Sequence, residues 1–207
     1  MELETYPADK FHSVQNRIAE HQEVIERYAD LLLWWNKKVN LVSRSIHRSE
    51  LLQHIEHSCL LSEIECFGQY QHIIDIGTGG GLPGFPLALL YPEKTFILND
   101  IVKKKVFTVK DIKRNIRQQN VKTSKSPFEE LDYGGDSLII SKHAFKLEQL
   151  ISFFEKQDGD TELLLLKGVP EQEKDWSDSY RKFVKKIYDL SKLGDFYSGK
   201  AIYHLKL

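Results

Sequence analysis

Asp75-Ile76-Gly77-Thr78-Gly79-Gly80-Gly81 follows the apolar pair Ile73-Ile74 and precedes Leu82-Pro83-Gly84-Phe85-Pro86-Leu87-Ala88-Leu89-Leu90. A β-branched run entering a glycine turn, then apolar residues at helical density, reads as a buried strand, a close-approach loop and a helix. Alternating glycines at 77, 79 and 81 let backbone come near a ligand where a Cβ would obstruct. Pro86 is acceptable in a helix's first turn, because its missing N–H has no intrahelical acceptor there. Such a loop suits a nucleotide-like cofactor, and by itself it separates a nicotinamide dinucleotide poorly from S-adenosylmethionine.

Downstream, short apolar segments alternate with amphipathic ones. Thr95 to Leu98, Val121 to Ser124, Ser137 to Ile140 and Glu162 to Leu166 read as strands, and Val102 to Gln119 and Leu147 to Phe154 as helices. This alternation predicts parallel βαβ units covered on both faces. Val184 to Leu190 and Lys200 to Leu207 are separated by Gly194 and Gly199, and are expected to pair antiparallel at the sheet's end. Glu171 to Lys182 is expected to be an exposed loop or helix.

Upstream, residues 1–68 read as a helical cap and 69–207 as the sheet domain, the two forming one compact unit. Phe11, Val14 and Ile18 mark one helix, Val24, Tyr28, Leu31, Leu32 and Trp35 a second, and Leu51, Leu52, Ile55 and Cys59 a third. Trp34 and Trp35 are expected to be packing anchors.

With 29 basic and 30 acidic residues the chain is not a uniformly basic nucleic-acid binder, although a local basic face remains open. Lys103, Lys104, Lys110, Lys113, Arg114 and Arg117 line one side of a predicted helix, either as a solvated face or as a phosphate-contacting one. Two cysteines make no disulfide framework, and His54 and His57 lack a third ligand, so no metal is expected. No apolar run is long enough to cross a membrane and no secretion signal opens the chain, so a cytoplasmic location is expected. Without a separate apolar seam, a monomer is expected.

Ligands of open α/β sheets gather at the carboxyl ends of the strands. Asp100 follows the second strand of the sheet domain, where it can grip ribose hydroxyls or cap the next helix. Ile101 and Phe128 offer an apolar bed for adenine, beside Glu129, which also suits a solvated loop. Lys142, His143 and Lys167 sit at later strand ends and favour an anionic substrate.

These residues together resemble a known family, the bacterial small-subunit ribosomal RNA guanine-N7 methyltransferases, or glucose-inhibited division protein B family. Trp35-Asn36-Lys37-Lys38-Val39-Asn40-Leu41-Val42-Ser43 resembles its W-N-x-x-x-N-L-[TV]-S segment, and His54-Ile55-Glu56-His57-Ser58 its histidine-to-serine helix. Most specific is the glycine loop continued by Leu82-Pro83-Gly84-Phe85-Pro86; Leu166-Lys167-Gly168 matches a late L-K-G segment.

The resemblance implies a Rossmann-like class I methyltransferase of mixed, mostly parallel sheet, using S-adenosylmethionine to methylate N7 of a guanosine in 16S ribosomal RNA or the small subunit. The implied cofactor residues are Asp75, Gly77, Thr78, Gly79, Gly81, Leu82, Asp100, Ile101, Phe128, Glu129 and Lys142. Lys142, Lys167, Lys200 and His143 are the implied substrate-positioning residues, with no general base. Lys142 and Lys200 stand where the family carries arginine, and Pro127 where many members carry a basic residue.

Overall fold

A computed structural model describes residues 3–134, 136–157, 160–170 and 178–207. Its helices are α1 (Ala8–Glu20), α2 (Gln22–Asn36), α3 (Arg48–Cys59), α4 (Gly84–Leu90), α5 (Lys103–Ile116) and α6 (Leu147–Phe154). Its strands are β1 (Leu3–Thr5), β2 (His72–Ile76), β3 (Thr95–Asn99), β4 (Val121–Ser124), β5 (Ser137–Lys142), β6 (Glu162–Gly168), β7 (Val184–Asp189) and β8 (Lys200–Lys206). All eight join one sheet in the order β1-β7-β8-β6-β5-β2-β3-β4. The block from β6 to β4 is parallel, while β8 runs antiparallel between β6 and β7.

The period of two along each strand divides the core into two layers. Ile73, Phe96, Leu98, Ile140, Leu164 and Ile202 face the layer formed with α1 to α5. Ile74, Ile76, Ile139, Leu163, Leu165 and Tyr203 face the opposite layer, where Leu147, Leu150, Ile151 and Phe154 of α6 pack with Phe128. Both faces of the parallel block are thereby removed from water, which is why its strands read as almost unbroken apolar runs.

Two features depart from the sequence reading. Residues 1–68 are not wholly helical: Leu3–Thr5 pairs in parallel with β7, from Leu3 opposite Ile187 to Thr5 opposite Asp189. All three residues of β1 are exposed, so no alternation announced this edge strand. Lys167 lies inside β6 opposite Ala201 rather than beyond its end. The segment Glu171 to Lys182 falls largely outside the described residues; Asp178–Phe183 forms a 3₁₀ turn. No described helix is long and apolar enough to cross a membrane.

Candidate active site

The chain passes from β2 outward to β3 and β4, then returns to place β5 on the other side of β2. Such a reversal leaves a crevice outside the carboxyl ends of the strands, because the two connections depart in opposite directions. A cleft of about 730 Å³ lies there, walled by the loops after β2, β3, β4 and β5 and by the segment after α2.

The glycine loop is held from below and behind. The buried Asp75 Oδ2 accepts from Thr78 Oγ1 at 2.5 Å and from the Gly84 N–H at 2.9 Å, so one carboxylate ties the start of the loop to the start of α4. Its Oδ1 is buried without a hydrogen-bond partner, and burial pushes the carboxyl up to about 7. The Thr78 N–H donates to Asn99 O at 2.9 Å, fastening the loop to the end of β3. From α2, the Tyr28 hydroxyl donates to Gly80 O at 3.1 Å while its ring stacks on Phe85 at 4.8 Å.

Two glycines carry the close approach. Gly77 has φ +70°, and a Cβ there would lie 2.4 Å from Ala144 Cβ and 2.9 Å from the Phe145 ring. The loop after β5 therefore packs directly on its backbone. Gly79 has φ +59°, and the space a Cβ would occupy meets only Leu41 O, at 3.8 Å. Its backbone is thus bared to the cleft, the form of cradle that lets a ligand come within contact distance.

Asp100, 5% exposed, joins the glycine loop to the entry of α5. Oδ1 accepts from the Val102 N–H at 2.8 Å and shapes the entry to α5, while Oδ2 accepts from the Gly79 N–H at 3.1 Å and lies 3.6 Å from Lys105 Nζ. A carboxylate so fixed at the cleft wall has lone pairs suited to vicinal hydroxyls. Ile101 is 64% exposed and shares the wall with Phe128 and Glu129. On the cofactor role that the family resemblance implies for Asp100, Asp100→Ala is expected to weaken S-adenosylmethionine binding by roughly 10- to 100-fold, since it removes the carboxylate and unties Gly79; the order of magnitude follows from about 1.5–3 kcal/mol for a charged hydrogen bond. Calorimetric titration checks this.

A cluster of bases borders the cleft from α3 and β5. Lys142 Nζ donates to His54 O at 2.9 Å and lies 3.3 Å from His54 Nδ1 and 3.5 Å from Ser58 Oγ. Burial, with the nearby positive charge of Lys200, lowers Lys142 to about 7. Burial and the charges of Lys142 and Lys200 likewise drive His54 down to about 4, so it is neutral at physiological pH. His143, exposed and with φ +53°, also lines the cleft.

Of the residues singled out in the sequence, Gly77, Thr78, Gly79, Leu82, Asp100, Ile101, Phe128, Glu129, Lys142 and His143 line the cleft. Asp75 and Gly81 stand behind its wall, Asp75 as the loop's anchor. Lys167 is only 6% exposed and is not a lining residue, because its position inside β6 puts it on the buried face that carries Leu163 and Leu165. Lys200 also lies off the wall; its amine donates to Phe196 O and sits 4.1 Å over the Phe196 ring. Trp35 is a packing residue, its indole N–H donating to Asp111 Oδ2 at 3.1 Å, whereas Trp34 is 48% exposed, with Lys38 Nζ 3.4 Å from its ring centre.

The cleft also uses Leu41, Val42, Ser43 and Ile46, which had no assigned role. Asn36 shapes that wall: its Oδ1 accepts from the N–H groups of Leu41 and Val42 at 2.9 and 3.1 Å, and its Nδ2 donates to Ser43 O at 3.0 Å. The signal was the asparagine ending an apolar helix and followed by Asn40-Leu41-Val42-Ser43. An asparagine side chain can pair with main-chain groups on both sides of a turn.

Residues 21–194 match the family model described as GidB, rRNA small subunit methyltransferase G. The chain belongs to this family. It is 40% identical over 148 residues to the ribosomal RNA small subunit methyltransferase G of Chlorobaculum tepidum, covering 70% of this chain and 67% of the relative. It is 30% identical over 205 residues to the protein of that name from Christiangramia forsetii, covering 93% and 91%. A crystal structure of an S-adenosylmethionine-dependent methyltransferase from Aquifex aeolicus shares the fold with a TM-score of 0.53 at 15% identity, over 75% of this chain and 91% of that one. The GidB-family chain is therefore an S-adenosylmethionine-dependent methyltransferase of Rossmann-like fold.

Proposed function

We propose that this GidB-family methyltransferase transfers a methyl group to N7 of a guanosine in 16S ribosomal RNA, in the cytoplasm where small subunits are assembled. The observation that carries this reading is the cleft itself: a bared glycine backbone and a fixed carboxylate on one side, and the basic cluster of Lys142, His54 and His143 on the other.

In this reading Gly77, Gly79 and Asp100 hold S-adenosylmethionine, with Ile101 and Phe128 against its adenine. When bound, the cofactor supplies an electrophilic methyl group on a sulfonium. Guanine N7 has a free lone pair and carries no proton, so none of the chain's residues has to act as a base. The protein's task is alignment, which alone can supply a large part of a rate enhancement. Thr78, Gly80 and Gly84, held through Asp75 and Tyr28, keep the loop from shifting during the attack. Asn36 fixes the wall over which a base would slide. Lys142 and His143 orient the nucleotide, and the lysines of α5, starting at Lys103 beside the cleft residues Ile101 and Val102, give phosphates a landing surface. Lys38 and the exposed Trp34 extend that surface with a charge and an aromatic face.

Methyl incorporation from labelled cofactor into isolated small subunits and into their deproteinised RNA, mapped to the modified nucleotide, tests the assignment. Labelling of N7 on a guanosine of that RNA is expected; transfer confined to other RNA or to small molecules would reject it.

Lys142→Met is expected to lower RNA methylation by about 10-fold or more while cofactor affinity changes less than threefold, the scale of one lost charge-assisted contact. Because burial holds Lys142 at about 7, its charge is present below that value and lost above it. RNA affinity of the wild type should therefore fall as pH rises through about 7, beyond the salt dependence common to all phosphate contacts. A variant that keeps this slope removes Lys142 from the RNA-binding role.

A further inference from the structure

At the end of the sheet opposite the cleft, three side chains with ligand chemistry meet. Glu162 opens β6 and His204 lies near the end of β8, on the same face of the antiparallel pair; Leu164 faces His204 across the ladder, so Glu162 is its diagonal neighbour. Diagonal neighbours on one face are within reach of long side chains. Cys66, in the 3₁₀ turn Glu65–Gln69 that feeds β2, packs onto that face and is 3% exposed. The thiol sulfur, a carboxylate oxygen and an imidazole nitrogen all lie within 4.8 Å of one another. His204 Nε2 and Glu162 Oε2 are 3.3 Å apart, each side chain 15% exposed.

We propose that Cys66, Glu162 and His204 form a binding site for a divalent transition-metal ion, with zinc the best match. Tetrahedral zinc with nitrogen and oxygen bonds of about 2.0–2.2 Å requires those two atoms to stand about 3.4 Å apart. The His204–Glu162 pair already has that separation. Sulfur, bound at about 2.3 Å, needs an edge of about 3.7 Å to each of the others, and it already lies within 4.8 Å of both. A thiolate, a carboxylate and a neutral imidazole carry two negative charges, matching the ion. Sulfur and imidazole select zinc or its neighbours over magnesium and calcium, and water takes the fourth position.

The surrounding charges leave the site to the cation. Lys206, across the ladder from Glu162, pairs with Asp160 at 2.7 Å, and Lys186, across the ladder from His204, pairs with Glu4 at 2.7 Å. Burial and the facing Glu162 push the Cys66 thiol well above its ordinary range. Without metal the sulfur therefore keeps its proton, and binding releases that proton to solvent as the metal–sulfur bond forms. The ion would tie the turn entering β2 to β6 and β8, a cross-link among residues far apart in sequence. It stabilises the sheet without touching the methyl-transfer cleft.

Cobalt(II) titration of the full-length, reduced, chelator-stripped protein is the direct test. One equivalent should bring a near-ultraviolet thiolate-to-cobalt band and the visible bands of tetrahedral cobalt, with both removed by zinc. Cys66→Ser should abolish the thiolate band, and Cys59→Ser, at the other buried cysteine, should keep it. In the wild type, zinc should shift the imidazole resonances of His204 and raise the melting temperature. Absence of the thiolate band in the wild type overturns the proposal even if the Cys66 variant fails to fold. So does a band that survives Cys66→Ser, or a nitrogen-only spectrum from surface histidines.

Discussion

Gly77→Ala should bring methyl transfer down by about 100-fold or more and abolish measurable S-adenosylmethionine binding at concentrations that saturate the wild type. The added methyl would sit 2.4 Å from Ala144 Cβ and 2.9 Å from the Phe145 ring, a separation that real Cβ atoms do not tolerate. Both neighbours belong to the loop after β5 that lines the cleft, so relief of the clash displaces the wall and the glycine loop together. Misplacement of reacting groups by about 1 Å is enough for a loss of that order. Alanine at φ +70° adds roughly 1–2 kcal/mol of backbone strain, which the fold as a whole can absorb. Gly134→Ala provides the control: φ is +57°, but only Ser137 Oγ, at 4.0 Å, is near. It should carry the same strain and keep cofactor affinity. Parallel calorimetry and thermal melts separate the outcomes, and intact cofactor binding in Gly77→Ala would contradict the packing described for the loop.

The second large effect is on the pH dependence of stability, through Asp75. Its carboxyl is raised from 3.8 to about 7 in the folded protein, chiefly by burial and against the hydrogen bonds from Thr78 and Gly84. A carboxyl with a raised folded-state value contributes stability that is complete below 3.8 and is lost as pH climbs to about 7. The corresponding loss is on the order of 4 kcal/mol, about 1.36 kcal/mol for each pH unit between the two values. Asp75→Asn keeps one oxygen to accept from Thr78 and Gly84, but cannot ionise. Subtracting its stability from that of the wild type, measured by denaturant titration at several pH values, should give a curve that falls between pH 3.8 and about 7 and is level beyond. The absolute offset is a separate matter, because the amide would place a donor where Oδ1 has no partner, a cost of about 1–3 kcal/mol. A level difference curve through that window would show that the carboxyl is not desolvated.

Features set by local chemistry were readable without a structure. The strand, loop and helix around Asp75 were so, because glycine spacing and apolar period act over a few residues. The helix Leu147–Phe154 and strand Val121–Ser124 were found with their boundaries for the same reason. The position of Lys167 was not, since whether a lysine ends a strand or continues it depends on its partner, here Ala201 of β8. Asn36 appeared in a recognisable segment, but its bonds to Leu41, Val42 and Ser43 depend on how the chain turns after α2. The basic cluster is tertiary as well: Lys142 meets His54 across 88 positions of sequence.

The strand Leu3–Thr5 is hydrogen-bonded to Ile187–Asp189, and β7 is held in the sheet by β8, made from Lys200–Lys206. During synthesis the opening residues consequently emerge long before their partner exists, while α1 and α2 can already begin to pack. This edge of the sheet closes only after β7 and β8 have been made. Pairings so distant are slow to form, and the unsatisfied edge is open to other chains until they do. Leu3–Thr5 thus reaches its native place only once β7 and β8 have been made.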